Sequence, residues 1–366
     1  MRRFRRMTIV MLAAALLAAV VTPAPAAAAD APAAGQCYAV LVGAMPGEEL
    51  FARHYRDWLK RFHAYLTGTM GVPAGNVTVL SGDKDFKDPA VAGLATAEAV
   101  KKALAAVSAK ARPGDQVILF IVGHGVSTEK PPTLVLPGPD LSADDLADAL
   151  AACPAREQVV LNLSSSSGAS IATLARKGRI IVAATAPIEG NEPVFPEFFL
   201  RGLESKRADG EGGAKDGRLS VLEAYNWATR EAALWISRLS RTGDGSWKTA
   251  GKESVEIFEK LYGTPPGAPG TKQLDGSSDR AKADEPVAIK PPGGKIDDSW
   301  TSRRVLSEHA MLEDCGEKEA ITAIGDVGYE PVTGSKEGDP GFLAGRVIIG
   351  KAGPAAPPQS VPAAKP

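Results

Sequence analysis

The chain has 366 residues, of which 44% are hydrophobic, enough for one large domain or two modest ones. Its 42 basic and 43 acidic side chains give a formal net charge of −1, so no nucleic acid or anionic membrane is expected as a partner. The three cysteines, Cys37, Cys153 and Cys315, are too few for a disulfide framework, and whether two of them form one bridge stays open.

The first 29 residues have the order of a secretory signal peptide. Arginines at positions 2, 3, 5 and 6 precede an apolar run at 11–21, and small residues ending at Ala29 follow it. The apolar run is too short to span a bilayer, and no other segment is better suited. We therefore predict a secreted or periplasmic protein, cleaved after Ala29 and not inserted in a membrane.

Five short apolar runs predict buried β-strands. They are rich in β-branched residues and continuous rather than alternating, which is typical of strands covered on both faces in a mostly parallel sheet. These runs cover residues 38–43, 76–81, 116–122, 158–163 and 179–185.

Helical patterns lie between and after these runs. Apolar residues recur at helical spacing over 51–66 and 100–107, and a third helix begins at Ser142 with Asp145 as its capping-box partner. Residues 195–203 and 220–236 predict two more helices. Strands that alternate with helices imply crossover connections, so the predicted fold class is α/β, a three-layer α/β/α sandwich with a mostly parallel sheet.

Composition divides the chain after the signal peptide into four parts. Residues 30–262 carry the strand and helix patterns and predict the α/β domain. Residues 263–294 are rich in Pro, Gly, Lys and Asp, which predicts a flexible insert. Residues 295–350 predict an ordered segment that packs on the domain, and the Ala- and Pro-rich residues 351–366 predict a disordered tail.

The sequence offers no motif for a metal or a nucleotide. It has four histidines and no HExxH or CxxC, and no glycine-rich phosphate loop follows a predicted strand. Asp216 and Glu223 partly fit a calcium loop, but Gly212 and Ala214 stand where two ligands should be. Ser220 and Glu223 are better interpreted as a capping box. We expect neither a cofactor nor a metal.

Two of the predicted strands end in residues that could carry chemistry. Gly123-His124-Gly125 follows the third strand, and the serines at 164–167 with Gly168 follow the fourth. Sites in open α/β sheets form beyond the carboxyl ends of the strands. A histidine and a hydroxyl there could act as base and nucleophile, although the spacing alone fits a tight turn and a serine-rich loop equally well.

These motifs resemble those of the legumain-type (haemoglobinase) and caspase-like cysteine peptidases. Such proteins have a strand with Gly-His-Gly and then a strand with Cys-x-Ser-Gly, and Ser167-Gly168 match the last two positions. Ser165 therefore stands where the family has its cysteine. Segments at 136–141, 191–199, 216–224 and 308–314 also resemble bacterial members. The resemblance covers about 38–314 without the insert, and it implies a caspase/legumain-like fold.

The resemblance also implies roles for individual residues. His124 would be the general base or acid, and the amide of Gly125 would help to bind the oxyanion. Ser165 would stand at the nucleophile position, with Ser164 or Ser166 as alternatives within the run of serines. The implied substrate-binding residues are Arg53, Ser166, Asn191 and Glu192.

Serine in place of cysteine changes the chemistry that is expected. A thiol is partly ionised at neutral pH, whereas a hydroxyl attacks only while a base removes its proton. The family's dyad lacks the third group that orients the base in serine enzymes. The sequence therefore favours an impaired pseudopeptidase that binds a peptide or protein partner. The alternatives are an active endopeptidase using Ser165 and His124 and, more remotely, an unrelated α/β binding module.

Overall fold

The computed structural model describes residues 35–128, 131–190, 192–211, 213–237, 240–241, 247–248, 308–325 and 328–352. The predicted signal peptide at 1–29, the predicted insert at 263–294 and the predicted tail beyond residue 352 lie outside the described residues.

The strands fall into one large sheet and three small ones. In chain order they are β1 Cys37–Gly43, β2 Val77–Ser81, β3 Val91–Leu94, β4 Gln116–Gly123, β5 Gly125–Val126, β6 Thr133–Leu134, β7 Leu141–Ser142, β8 Glu157–Ser164, β9 Arg179–Ala183, β10 Ser240–Arg241, β11 Trp247–Lys248, β12 Met311–Glu313, β13 Ile321–Thr322, β14 Ile324–Gly325 and β15 Gly328–Tyr329.

The large sheet has eight strands in the order β13-β12-β9-β8-β4-β1-β2-β3. All pairings from β9 to β3 are parallel, while β12 pairs antiparallel with both β9 and β13. The central strands β1, β4 and β8 are buried along almost their whole length. The mostly parallel sheet predicted from the sequence is confirmed.

Helices connect the parallel strands and cover the sheet. They are α1 Glu49–Ala64, α2 Ala97–Lys110, α3 Ala143–Ala151, α4 Ile171–Leu174, α5 Phe195–Ser205, α6 Arg207–Glu211 and α7 Val221–Ser237. A π-helical turn, Tyr65–Thr69, continues α1, and a 3₁₀ turn, Ser167–Ser170, leads into α4.

Two hydrophobic cores lie on opposite faces of the sheet. Ile118 and Phe120 of β4 pack with side chains of α1, α5 and α7. Leu119 and Ile121 of the same strand pack with side chains of α2, α3 and α4. Successive strand residues point to opposite faces, and here both faces are apolar, which is why the predicted strands lack polar alternation. The three-layer α/β/α sandwich is confirmed.

The five predicted strands are all present, with ends shifted by one or two residues. Three strands of the large sheet, β3, β12 and β13, were not predicted. β3 has the sequence Val-Ala-Gly-Leu, which is short and poor in β-branched residues. β12 follows the predicted insert and pairs with β9, which lies far earlier in the sequence, so no local pattern indicates this pairing.

Both predicted helix caps are confirmed. The Ser142 side chain accepts a hydrogen bond from the Asp145 amide, and the Asp145 carboxylate accepts one from the Ser142 amide. Ser220 and Glu223 make the same reciprocal pair at the start of α7. Glu223 also accepts a hydrogen bond from the Ala214 amide, so its carboxylate is occupied by backbone amides of the segment that was compared with a calcium loop.

The segment after residue 308 packs on the domain. Its Leu312 and Ile349 are buried in the same core as α1 and α5. Gln116 at the start of β4 donates to the Ile348 carbonyl at 2.9 Å and accepts from the Gly350 amide at 2.7 Å.

Two further features concern the cysteines and the helices. Cys37, Cys153 and Cys315 are all free thiols, so the bridge left open above is not formed. Among the described residues, every helix is too short or too polar to cross a membrane.

Candidate functional site

His124 and Ser165 follow directly from two paired strands. β4 and β8 are parallel, and their register places Gly123 opposite Ser164, so the next residue of each strand lies at the same edge of the sheet. The Ser165 amide donates to the Gly123 carbonyl at 3.0 Å. The two strand ends that carry His124 and the run of serines are therefore adjacent.

The glycines around His124 allow close approach of the backbone. Gly123 has a φ of 142°, a conformation that side chains strongly disfavour. A Cβ atom on Gly125 would overlap the Ser165 carbonyl oxygen. A side chain at position 125 would therefore push the two strand ends apart, whereas one at position 123 would overlap Ala44, which follows β1.

The hydroxyl of Ser165 is held by the backbone of Gly125. The Gly125 amide donates to Ser165 Oγ at 3.1 Å, and Oγ lies 3.4 Å from the Gly125 carbonyl oxygen, which it can donate to. The residue is only 1% exposed. Within the described part of the chain, Ser165 Oγ makes no hydrogen bond to His124.

The other three serines of the run have different environments. Ser164 Oγ donates to the Asn162 side chain at 2.8 Å, and Ser167 Oγ lies 3.3 Å from Thr185 Oγ1. Ser166 has a φ of 53°, the left-handed region that non-glycine residues rarely adopt. Of the four hydroxyls, only that of Ser165 contacts the Gly125 amide, which agrees with its proposed position.

A glutamate faces the imidazole of His124. Glu192 Oε2 lies 3.2 Å from His124 Nδ1, and the edge of the Phe51 ring packs against the imidazole with centroids 5.4 Å apart. Burial lowers the pKa of His124, and the charge of Glu48 opposes that effect. The imidazole is therefore neutral at pH 7.

The carboxyl group of Glu192 is buried without a completed hydrogen bond. Both of its oxygens, like the hydroxyl of Tyr55, are inaccessible to solvent and lack a partner at hydrogen-bond geometry in the described residues. Burial raises the pKa of Glu192 to about 8, an effect that Tyr55 opposes and Glu308 reinforces. This side chain holds a proton at neutral pH.

The loop between β9 and α5 makes hydrogen bonds both to the run of serines and to residues 308 and 309. The Glu189 carbonyl accepts from the Ser166 amide at 2.8 Å, and the Glu189 carboxylate contacts His309 Nδ1 at 2.5 Å. Glu308 accepts hydrogen bonds from the amides of Val194 and Phe195, at the start of α5. Residues 308 and 309 thus hold the loop that contacts the run of serines.

The predicted substrate-binding residues lie in different places. Arg53 is on the exposed side of α1, whereas Phe51 of that helix packs against His124. Ser166 borders Ser165, and Glu192 turns its carboxyl group toward His124 rather than toward solvent. Asn191 lies outside the described residues.

Sequence reasoning missed Tyr55, Glu189 and the roles of Glu308 and His309. Tyr55 belongs to an apolar helix stripe, which indicates a core residue. Glu308-His309 was noted only for its resemblance. Their contacts cross more than 110 residues of sequence, so no local spacing could have indicated them.

The described residues contain no group of three or more His, Cys, Asp or Glu side chains that could hold a metal ion. The arrangement at the strand ends supports proton transfer and hydrogen bonding instead. It comprises a neutral histidine, a protonated glutamate, a hydroxyl and a backbone amide at one edge of the sheet.

Solved structures that resemble the chain include a caspase and a cysteine protease. The Drosophila initiator caspase Dronc matches with 12% identity and a TM-score of 0.34, over 59% of this chain and 80% of that chain. A secreted C11 cysteine protease from Bacteroides thetaiotaomicron, in complex with an irreversible peptide inhibitor, matches with 16% identity and a TM-score of 0.32, over 61% and 68%. No protein-family model matches the sequence, and no curated protein matches it.

Proposed function

We propose that this chain is an exported caspase/legumain-like peptidase homologue that is catalytically impaired and binds a peptide or protein partner at the strand ends. The observation that carries the proposal is the state of Ser165. Its hydroxyl is buried and hydrogen-bonded to Gly125, whose amide is the donor that the resemblance assigns to the oxyanion.

This geometry opposes catalysis for two reasons. A serine attacks only while a base within hydrogen-bond reach removes its proton, and Ser165 has no such bond to His124 in the described chain. In addition, an oxyanion would have to displace the Ser165 hydroxyl from the Gly125 amide. Both steps require rearrangement before a substrate carbonyl can react.

Impairment is tested with a serine-directed phosphonate. We expect wild-type protein and Ser165→Ala to show the same absence of labelling at position 165 and the same background turnover of a mixed peptide library. Labelling of wild-type Ser165 that disappears in His124→Ala would contradict the proposal.

Binding at the strand ends is tested separately with an immobilised library of mixed peptides. Gly125→Ala should lose the bound peptides, because the added Cβ would collide with the Ser165 carbonyl and deform the site. Gly93→Ala is the matched control, since a Cβ there meets no atom within 4 Å. Equal binding by both variants would place the partner elsewhere.

A second candidate function is an active serine endopeptidase. The observation in its favour is Glu192, which lies beside His124 Nδ1 as the third member of a serine triad does. The phosphonate experiment separates the two candidates, because only an active enzyme requires His124 for labelling.

A further inference from the structure

We propose that Glu192 is a positioning residue that determines which imidazole nitrogen of His124 carries the proton. The inference concerns the site described above, and it depends on the proposed function only for its consequence in catalysis. It begins from a buried carboxyl group that lies 3.2 Å from Nδ1 and has no partner at hydrogen-bond geometry among the described residues.

The two groups face each other in a confined environment. Tyr55 of α1 approaches the Glu192 carboxyl group and lowers its pKa. Glu308, in the segment that precedes β12, raises that pKa through its negative charge. The imidazole is packed against Phe51 and is influenced by Glu48 at the start of α1. Among the described neighbours Tyr55, Glu308, Phe51 and Glu48 there is no lysine or arginine. A proton, on the carboxyl group itself or on His124, is therefore what offsets a negative charge on Glu192.

The protonated form of Glu192 selects one tautomer. A carboxylic acid is a strong donor and a neutral imidazole nitrogen is a strong acceptor, so the acid O–H donates to Nδ1. The hydrogen of the neutral imidazole then lies on Nε2. In that state Nε2 has no lone pair to accept a proton from a hydroxyl or thiol.

Ionisation of Glu192 reverses the arrangement. A carboxylate can only accept, so Nδ1 must carry the hydrogen. The proton of Glu192 passes to Nδ1, the proton on Nε2 leaves to solvent, and one proton is released while the imidazole stays neutral. Nε2 then has the lone pair that a general base needs. Base function at His124 is therefore gained as pH rises.

The test is ¹⁵N NMR of the full chain labelled at histidine, recorded from pH 6.5 to 9.5. His124→Gln assigns the signals, and His63, on α1, serves as an internal reference. In wild type we expect hydrogen on Nε2 at pH 6.5, and a change to Nδ1 with a midpoint near pH 8. In Glu192→Gln, which cannot ionise, the tautomer should stay constant over this range.

Tyr55→Phe provides an independent variant. Because the Tyr55 hydroxyl lowers the pKa of Glu192, its removal should move the midpoint to higher pH. Three results would overturn the inference. The first is a wild-type tautomer that stays constant over the whole pH range. The others are a tautomer change that persists in Glu192→Gln and a midpoint that does not move in Tyr55→Phe. The measurement needs neither turnover nor bound peptide, so its failure is distinguishable from failure of the proposed function.

Discussion

At the scale of single residues, the proposed nucleophile and the proposed base contact different partners. Ser165 Oγ contacts the Gly125 backbone, and His124 contacts Glu192. A thiol at position 165 would need less help, because part of it ionises without a base. The balance between binding and catalysis therefore depends on one side chain.

Ser166 offers a test of backbone strain beside Ser165. Its left-handed conformation costs roughly 1 kcal/mol for an L-residue, and its side chain makes no hydrogen bond among the described residues. Ser166→Gly should therefore raise the free energy of unfolding by up to about 1 kcal/mol. Urea denaturation measures this change. Ala169→Gly is the control, because Ala169 lies in the following 3₁₀ turn without a positive φ, and its free energy of unfolding should fall by about 0.5–1 kcal/mol. A decrease of that size in Ser166→Gly would show that the Ser166 backbone is not strained.

Glu192 should make stability depend on pH. Burial raises its pKa to about 8 in the folded protein, against 4.5 for an ordinary glutamate, so the folded state binds the proton more tightly. Stability is then greatest at low pH and falls between about 4.5 and 8, by up to about 1.4 kcal/mol per pH unit. Urea denaturation of Glu192→Gln from pH 5 to 8 should show a flatter profile than wild type. Identical profiles would mean that Glu192 is not the group that titrates.

At the scale of elements, the loop between β9 and α5 is held by a segment that comes much later in the chain. Glu308 binds the first amides of α5, where a carboxylate is favoured by the helix dipole, and His309 binds Glu189. The loop in turn supports Ser166 through the Glu189 carbonyl. The strand-end site therefore includes contacts from Glu308 and His309, which lie outside the alternating strands and helices of the first half of the chain.

Removal of the Glu308 carboxylate should destabilise the protein. Glu308→Ala leaves two buried amides, those of Val194 and Phe195, without acceptors and should cost about 2–4 kcal/mol. Thermal or urea denaturation measures the loss. Glu319→Ala, at an exposed position of the same segment, is the control and should stay within about 0.5 kcal/mol of wild type. Equal effects of the two substitutions would refute the capping role.

The sequence predicted elements where the signal was local. The β4 and β8 strands were predictable because eight consecutive residues of each are buried or nearly so, and the Ser142 cap because its partner is three residues away. β12 and the Glu308 contacts were not predictable, since their partners are fixed by tertiary packing alone. At the site, the strand ends predicted His124 and the run of serines, and the family resemblance singled out Ser165. The pairing of His124 with Glu192 was not predictable.

At the scale of the whole molecule, the sandwich depends on both the first and the last parts of the described chain. β12 extends the sheet beyond β9, and the Tyr225 hydroxyl of α7 donates to the Ala310 carbonyl at 2.8 Å. Gln116 binds the backbone near Ile348. The residues after 308 are therefore part of the domain core rather than an appendage.

Proteolysis tests this union of the two parts. The Pro- and Gly-rich composition of residues 263–294 predicts that an added protease cleaves there first. We expect the two fragments to stay associated in size-exclusion chromatography, because β12 and Leu312 are buried between other elements. They should separate only in denaturant. Separation in native buffer would show that the segment after 308 adds little to the core.

The most direct test of the central claim is a nucleophile exchange at position 165. Wild type, Ser165→Cys, and Ser165→Cys combined with His124→Ala are compared for turnover of a mixed fluorogenic peptide library. Ser167→Cys is the matched control, since that hydroxyl pairs with Thr185 and not with Gly125.

The account predicts turnover in Ser165→Cys alone, because a thiol ionises in part without a base, and because His124 and the Gly125 amide lie at the same strand ends. Wild-type turnover equal to that of Ser165→Cys would contradict it and make Ser165 a working nucleophile. Turnover that survives the loss of His124 would contradict it as well.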